Sequence, residues 1–545
     1  MKKNWVLILS ILLFLGVVAL LLNLSVAKND NHFIYALDDG YIHMTIARNL
    51  ATNGSWGISP GDFCSASSSL LWTLLLAAFY ALGISSVAIP FLLNALFAIL
   101  LIWVLYSQIM PLRENISPAW QLAGLLSMIF ICPLAPLVFV GMEHIFHILV
   151  SVLFVMVASK VISETGKRSP EWPAMLMLGA MLPAIRYEGL FLVFLVSGML
   201  LLRRRVVKSL ALGFFSFLPI AVFGFIASKL GGSFLPNSLL LKGNIPELKS
   251  LSSLFLAFGG RAILTLIREP HVMILVALAS ILFILRNKQK RLWEENQIFL
   301  VLSVFTVLFH LQFAKTGWFF RYEAYLVVLL ILGILKSLSV FLRENSLSLL
   351  KDGNLPKYGA IALLVLVVLA PLMYRAGLSH IQTVPATNNI YAKQYQMVRF
   401  VQDFYPRDEI VINDLGALSY YTDAKLFDLW GLGSHDIVRV KRSQKLSAVE
   451  VSRLLESGDY MIAMIYDSWF PRDVHELWTK VGEWTVQDVV CEICHTISFY
   501  ALSKSHAPVL AERLKLFSTR LPQGVQSDIL IELVDPEEKE RKFLP

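Results

Sequence analysis

Long apolar runs constrain this chain more than any motif does. The first, at 5–24, carries no charged residue and is long enough to cross a hydrocarbon core of about 30 Å as a helix. Others follow at 87–106, 120–139, 145–159, 173–185, 190–202, 210–227, 272–285, 298–313, 325–342 and 360–373. In lipid each such segment must satisfy its own backbone hydrogen bonds, so each is expected as a helix. The chain is 56% hydrophobic and 16% charged, against about 45–50% and about 25% for soluble domains. That balance excludes a disordered chain, a collagen-like fibre and a wholly soluble enzyme. Four cysteines in 545 residues are too few for a disulfide scaffold. The length predicts more than one unit.

Basic residues set the orientation. Lys2 and Lys3 precede the first run, and Val26, Ala27 and Lys28 make a poor cleavage site, so that run reads as a retained helix with its N-terminus inside. The segment 70–84 then decides the topology. If it spans, Lys160, Lys167, Arg168 and the run Arg203, Arg204, Arg205 and Lys208 fall outside. If it lies along the outer surface as an interfacial helix, these residues and the basic groups at 113, 286–291 and 343–357 all fall inside. The second arrangement satisfies the positive-inside rule at every basic loop and gives about eleven spans. The net charge of +8 is then cytoplasmic loop charge and not a nucleic-acid footprint. Hydropathy falls after Met373. The expected fold is an α-helical polytopic membrane protein over 1–379 and a soluble extracytoplasmic α/β domain over 380–545. In that domain "EIVINDLGALSYYT" and "YMIAMIY" read as buried strands and "AVEVSRLLES" as an amphipathic helix.

With this topology the unusual polar residues share one level, at the outer face. They are Asp38, Asp39, Tyr41 and Arg48 in the first outer loop; Glu143, His144 and His147; Arg186 and Glu188 at a tight turn; Asn237 and Lys242; and Lys315, Arg321 and Glu323. A transporter would place ionisable groups near the midplane, and none falls there. An enzyme acting on a lipid-linked substrate fits better. Arginines bind phosphate through charge-assisted, often bidentate hydrogen bonds, which makes Arg186 and Arg321 the first candidates, with Lys242, Lys315 and Arg48 behind them. A carboxylate can deprotonate an incoming hydroxyl, and Asp38 and Asp39 open a helix-like segment. Asp38, Ile42 and Thr45 share one face; Asp39, His43 and Ile46 share the next. Only one of the two carboxylates can therefore be the base. Each residue also has a structural reading: helix capping for the aspartates, ion pairs fixing helix ends for Arg186–Glu188 and Arg321–Glu323, snorkelling for Arg48.

In this order the motifs resemble those of polytopic glycosyltransferases of the C fold (GT-C), which use polyprenyl-phosphate sugars. The chain looks most like the branch that includes mycobacterial terminal arabinofuranosyltransferases. The stretches are "DDGYIHMTIARNL" (38–50), "SPGD" (59–62), "SSSLLW" (67–72), "GMEH" (141–144), "RYEG" (186–189), "PNSLLLK" (236–242), Arg321–Tyr322, "DLGALSY" (414–420) and "DLWGL" (428–432). Thr45 stands where the family carries an arginine, and His144 where it carries a threonine. The resemblance implies an interfacial helix after the first outer loop, which the charge count reached independently. It implies sugar transfer at the outer face of the cytoplasmic membrane from a lipid-linked donor to a glycan, lipid or protein acceptor, with the catalytic aspartate in the Asp38–Asp39 pair and Asp38 preferred. Arg186, Arg321, Lys242 and Arg48 would bind the donor phosphate; Glu143, Glu188, Tyr41 and Asn237 would contact substrate. The transfer is expected to be inverting, with no cofactor and no metal. The alternative is a lipid-linked sugar flippase. One motif stands apart: "CEICH" (491–495) matches a c-type haem attachment pattern, or a disulfide, or two free thiols.

Overall fold

The computed structural model describes residues 4–109, 117–166, 169–243, 251–287, 292–344, 355–443 and 446–531. Arg113, Lys167, Arg168, the basic residues at 288–291 and the C-terminal "VDPEEKERKFLP" lie outside the described residues.

The helical part begins with α1 (Trp5–Lys28), α2 (Asp39–Asn53), α3 (Leu70–Ala81), α4 (Ile89–Ile109), α5 (Pro118–Ile131) and α6 (Leu134–Val138). It continues with α7 (His144–Ser163), α8 (Trp172–Ile185), α9 (Gly189–Leu202), α10 (Val206–Lys229), α11 (Asn237–Lys242) and α12 (Leu251–Phe255). Next come α13 (Arg261–Arg268), α14 (Pro270–Asn287), α15 (Glu295–Phe313), α16 (Ala324–Glu344) and α17 (Leu355–Ile390). Among the described residues, α1, α4, α7, α10, α14, α15 and α16 are long and apolar enough to cross a membrane. The protein is thus a multi-pass membrane protein. The run at 120–139 is divided: α5 ends at Ile131, and Pro133 separates it from the short α6. Leu134, Ala135, Leu137 and Val138 are buried, so their apolarity serves the protein interior and not lipid. The 12-residue α3 reaches only about 18 Å, too short to span, and it packs along α2.

Helix α17 runs into a single π-helical turn at Tyr391–Tyr395 and on to α18 (Gln396–Phe404). The C-terminal part then alternates β1 (Glu409–Ile412), α19 (Gly416–Tyr421), β2 (Lys425–Asp428), α20 (His435–Ser443), α21 (Ala448–Leu455) and β3 (Tyr460–Ile465). It ends with β4 (Thr479–Val486), β5 (Thr496–Ala501), α22 (Ala507–Ser518) and β6 (Val525–Ile529). The sheet order is β2-β1-β3-β5-β4-β6. The β2-β1-β3 half is parallel and the remainder antiparallel. Alternation along the strands explains "EIVI" and "YMIAMI" as buried strands; the rest of "EIVINDLGALSYYT" departs from the expectation, since the chain turns after Ile412 and "GALSYY" folds as α19. Ile410, Ile412, Ile462 and Met464 point to the layer with Phe400 and Phe517, and Val411, Ala463 and Ile465 point to the layer with Ile437 and Val451. Both faces are covered, so neither can be polar. Cys491 and Cys494 are joined as a disulfide in this domain.

Candidate active site

Helix α2 builds the site because it touches both halves of the molecule. Its N-terminus approaches the turn before α7 closely: a Cβ on Gly40 would lie 2.9 Å from the Val140 carbonyl oxygen. Gly141 takes a left-handed φ of +71° beneath the ring of Tyr35. Two glycines of the motifs thus bring Asp38 and Asp39 beside Met142 and Glu143.

The two aspartates then diverge. Asp39 lines a cavity of about 360 Å³, and its carboxylate accepts from the Arg321 guanidinium at 2.6 Å. Asp38 turns away to the sheet domain. Its two oxygens accept from the backbone N–H groups of Gly416 and Ala417 at 2.5 and 2.7 Å. Gly416 is obligatory there, since a Cβ would overlap the Asp38 backbone oxygen. Burial pushes the Asp38 carboxyl above the ordinary range, helped by nearby Asp414 and opposed by those two N–H groups. Of the two aspartates expected to hold the base, Asp39 and not the preferred Asp38 is in the cavity lining.

Arg321 is buried. It follows three residues in left-handed conformation, Trp318, Phe319 and Phe320, at φ +45°, +61° and +59°. Such a run is costly for residues with side chains and is held here by outside bonds. Arg375 donates to the Phe320 carbonyl at 2.8 Å, and the Gly317 N–H donates to Glu323 at 2.9 Å. Arg321 also donates to the Tyr322 hydroxyl at 3.0 Å and to Met142 Sδ at 2.9 Å.

Arg186 lies in the turn between α8 and α9. It donates to Glu143 at 2.6 Å and to Glu188 at 2.7 Å. Burial pushes the Glu188 carboxyl up, but Arg186 more than offsets this and holds it at about 2. The Tyr322 ring stands between the two guanidiniums, 5.6 Å from Arg186 and 4.9 Å from Arg321, within cation–π range. His43, one helical turn after Asp39, completes the polar wall. Its Nδ1 meets Thr73 and Ser67 at 3.2 and 3.1 Å, and its Nε2 lies 3.7 Å from Glu143. Burial holds this imidazole below its ordinary value against the pull of Glu143, so it is neutral at pH 7. Leu190, Phe191, Phe217, Ile220, Leu235 and Phe313 supply an apolar wall.

Other sequence candidates stand elsewhere. Arg48 donates to the Tyr420 and Ser419 carbonyls at 2.8 and 3.3 Å and stacks over Tyr420; it joins α2 to the sheet domain. Thr45, the departure from the motif, meets the Ser419 hydroxyl at 3.1 Å in the same interface. The Tyr41 hydroxyl is buried and accepts from the Tyr35 N–H at 3.2 Å. Asn237 donates to the Leu432 carbonyl at 3.0 Å and meets His435 at 3.1 Å, tying α11 to a loop of the sheet domain. Through that loop Leu432 reaches the cavity. Asp428 shapes the loop by accepting from the Trp430 and Gly433 N–H groups. The Lys242 side chain lies outside the described residues. His43, Ser68 and Tyr322 line the cavity without having been assigned a role from sequence. The signal for His43 was its position four residues after Asp39.

A chain with this architecture has been seen before. ArnT from Cupriavidus metallidurans bound to undecaprenyl phosphate superposes with a TM-score of 0.52 at 12% identity, over 93% of this chain and 99% of that chain. The fold is of the GT-C type. The apo oligosaccharyltransferase of Archaeoglobus fulgidus gives a TM-score of 0.46 at 12% identity, over 92% of this chain and 75% of that chain. Residues 388–503 match a family described as a domain of unknown function, DUF8728. No curated protein matches the sequence. Leu432 of the sheet domain is in the lining beside residues of the helical part, so the cavity lies where the two parts meet.

Proposed function

We propose that the protein transfers a sugar from a polyprenyl-phosphate donor to an acceptor hydroxyl. The observation that carries this reading is the Asp39–Arg321 pair in a cavity that also holds Arg186 and has an apolar wall. Such a cavity suits a ligand with an anionic head and a hydrocarbon tail. The fold supports the same ligand class, since the GT-C structure superposed above was solved with undecaprenyl phosphate.

In this reading Asp39 takes the acceptor proton while the hydroxyl oxygen attacks the anomeric carbon. The C–O bond to phosphate breaks on the opposite face, which inverts the anomeric configuration. Polyprenyl phosphate leaves as a stabilised anion and needs positive charge, not a general acid. Arg321, released as Asp39 takes the acceptor proton, supplies that charge with Arg186 beside it, and Tyr322 lies within cation–π reach of both guanidiniums. Glu143 and Glu188 orient Arg186. The motif resemblance favours an arabinofuranose-type donor. We place the catalytic helical part at 1–379 and the sheet domain, 380–545, on the outer face of the cytoplasmic membrane.

The test is transfer by the purified full chain in detergent, where no transmembrane gradient exists, from a radiolabelled polyprenyl-phosphate sugar. Turnover that survives Asp39→Asn, or that is lost only with Asp38→Asn, would refute the base assignment. Absence of any transfer or hydrolysis of such donors would refute the reaction class.

A further inference from the structure

Among the described residues, three cationic side chains line the cavity: Arg186, Arg321 and Lys315. Their charges are not equally available. Arg186 is shared by Glu143 and Glu188, and Arg321 is held by Asp39. Two guanidiniums facing three carboxylates leave no positive excess in that part of the cavity. A phosphate arriving there must displace a carboxylate from a desolvated pair, which is costly. Lys315 differs. Among the described residues no carboxylate pairs with its ammonium, and the side chain is exposed.

The backbone beneath Lys315 is nevertheless fixed. His310, buried on α15, places Nε2 2.9 Å from the Lys315 carbonyl oxygen and Nδ1 3.1 Å from the Tyr325 hydroxyl. The carbonyl can only accept, so Nε2 carries the proton. The next residue, Thr316, donates its hydroxyl to Glu269 at 2.7 Å, and the Gly317 N–H donates to Glu323. Two residues before Lys315, Phe313 belongs to the apolar wall. The lysine thus projects from a pinned turn where the hydrocarbon-like lining meets the polar one. An ammonium on a flexible stem acts as a point charge for phosphate.

We propose that Lys315 is the primary contact for the phosphate of a prenyl-phosphate lipid, the only lining cation among the described residues that needs no carboxylate displaced. The proposal rests on the donor class argued above. In sequence terms it reverses the order of candidates, which ranked the arginines first.

The experiment titrates undecaprenyl phosphate into the purified full chain in detergent and follows intrinsic tryptophan fluorescence, with melting temperature measured on each variant. Lys315→Met is expected to raise the Kd about tenfold or more, as loss of one charge-assisted contact does. Lys315→Arg is expected to stay within about threefold of the parent, and both variants to keep its melting temperature. A Lys315→Met variant that binds like the parent overturns the proposal. So does a Lys315→Arg variant as weak as Lys315→Met while equally stable, because charge would then not be what the lipid reads. Inorganic phosphate competing as well as the lipid would assign the contact to a free anion and overturn the lipid assignment. If the parent itself shows no binding of undecaprenyl phosphate, the donor class falls instead, which separates the two failures.

Discussion

Asp39 and Arg321 lie 282 positions apart in the chain and meet at 2.6 Å inside the cavity. The pair gives one carboxylate two linked properties. It stands where an acceptor hydroxyl could lose its proton, and it neutralises a cation that a donor phosphate would use. Asp39→Asn should separate these. Turnover is expected to fall by about 10²–10⁴, the usual contribution of a general base. Binding of undecaprenyl phosphate should tighten, because the amide no longer competes for Arg321. Assays with labelled donor and lipid titrations on the same preparation check both. Turnover and lipid affinity falling together would mean that Asp39 is only part of the scaffold.

Asp38 has the opposite task. Its carboxyl group accepts from two N–H groups of the sheet domain and is not in the cavity lining, so it ties α2 to that domain. Asp38→Asn keeps one acceptor oxygen and turns an amide NH2 to the other N–H, so it should cost about 1–3 kcal/mol of docking stability, the cost of leaving a buried donor unsatisfied. Gly416→Ala should be worse, since no rotamer relieves a Cβ placed against the Asp38 backbone oxygen. Both should lower the melting temperature and speed proteolytic release of the C-terminal part. Wild-type melting in both variants would contradict the latch.

How far the sequence could lead shows in that same pair. Adjacent residues on a helix point about 100° apart, so the motif could bring both carboxylates to the site but not say which one faces inward. The partner that decides it, Gly416, is 378 positions away, and no local pattern encodes such a contact. The apolar runs were read correctly as helices where they are long. At 120–139 protein burial and lipid burial look alike in composition, so the break at Pro133 was missed. At 70–84 composition marks an apolar helix, and its shortness as the 12-residue α3 is set by where Ser69 caps it and where the chain turns after Ala81. Arg48 bonds two carbonyls of α19 and is not in the cavity lining; an arginine near a membrane surface has the same sequence signature whether it binds a ligand or two carbonyls.

Arg48 therefore offers a direct contrast with the cavity arginines. Arg48→Ala removes two hydrogen bonds to carbonyls of α19 and a stack on Tyr420. The expected cost is about 1–2 kcal/mol of stability, with donor KM changed less than about threefold. Arg321→Gln should instead act on donor binding and turnover, since Arg321 is in the cavity lining. Steady-state kinetics beside melting curves distinguish the two. A large KM effect from Arg48→Ala alone would return it to the donor site.

Acidity should register at the junction of the two parts. Burial raises the Asp414 carboxyl to about 6, against the hydrogen bond from Gln394 and the charge of Lys393. In the unfolded chain the same group titrates near 3.9. Between those values the folded protein binds more protons than the unfolded one, so stability falls as pH rises from about 4 to about 6. Asp38, also raised by burial and by Asp414, adds to the same slope. Asp414→Asn keeps an oxygen for the Gln394 donor and removes the titration. The variant is expected to lose the Asp414 part of that slope and to be relatively more stable above pH 6, where the parent must keep a buried charge. Melting temperatures from pH 4 to 8 in one buffer series at constant ionic strength check this. A parent curve that rises across the window, or a variant curve parallel to it, would show that Asp414 is not held above its ordinary range.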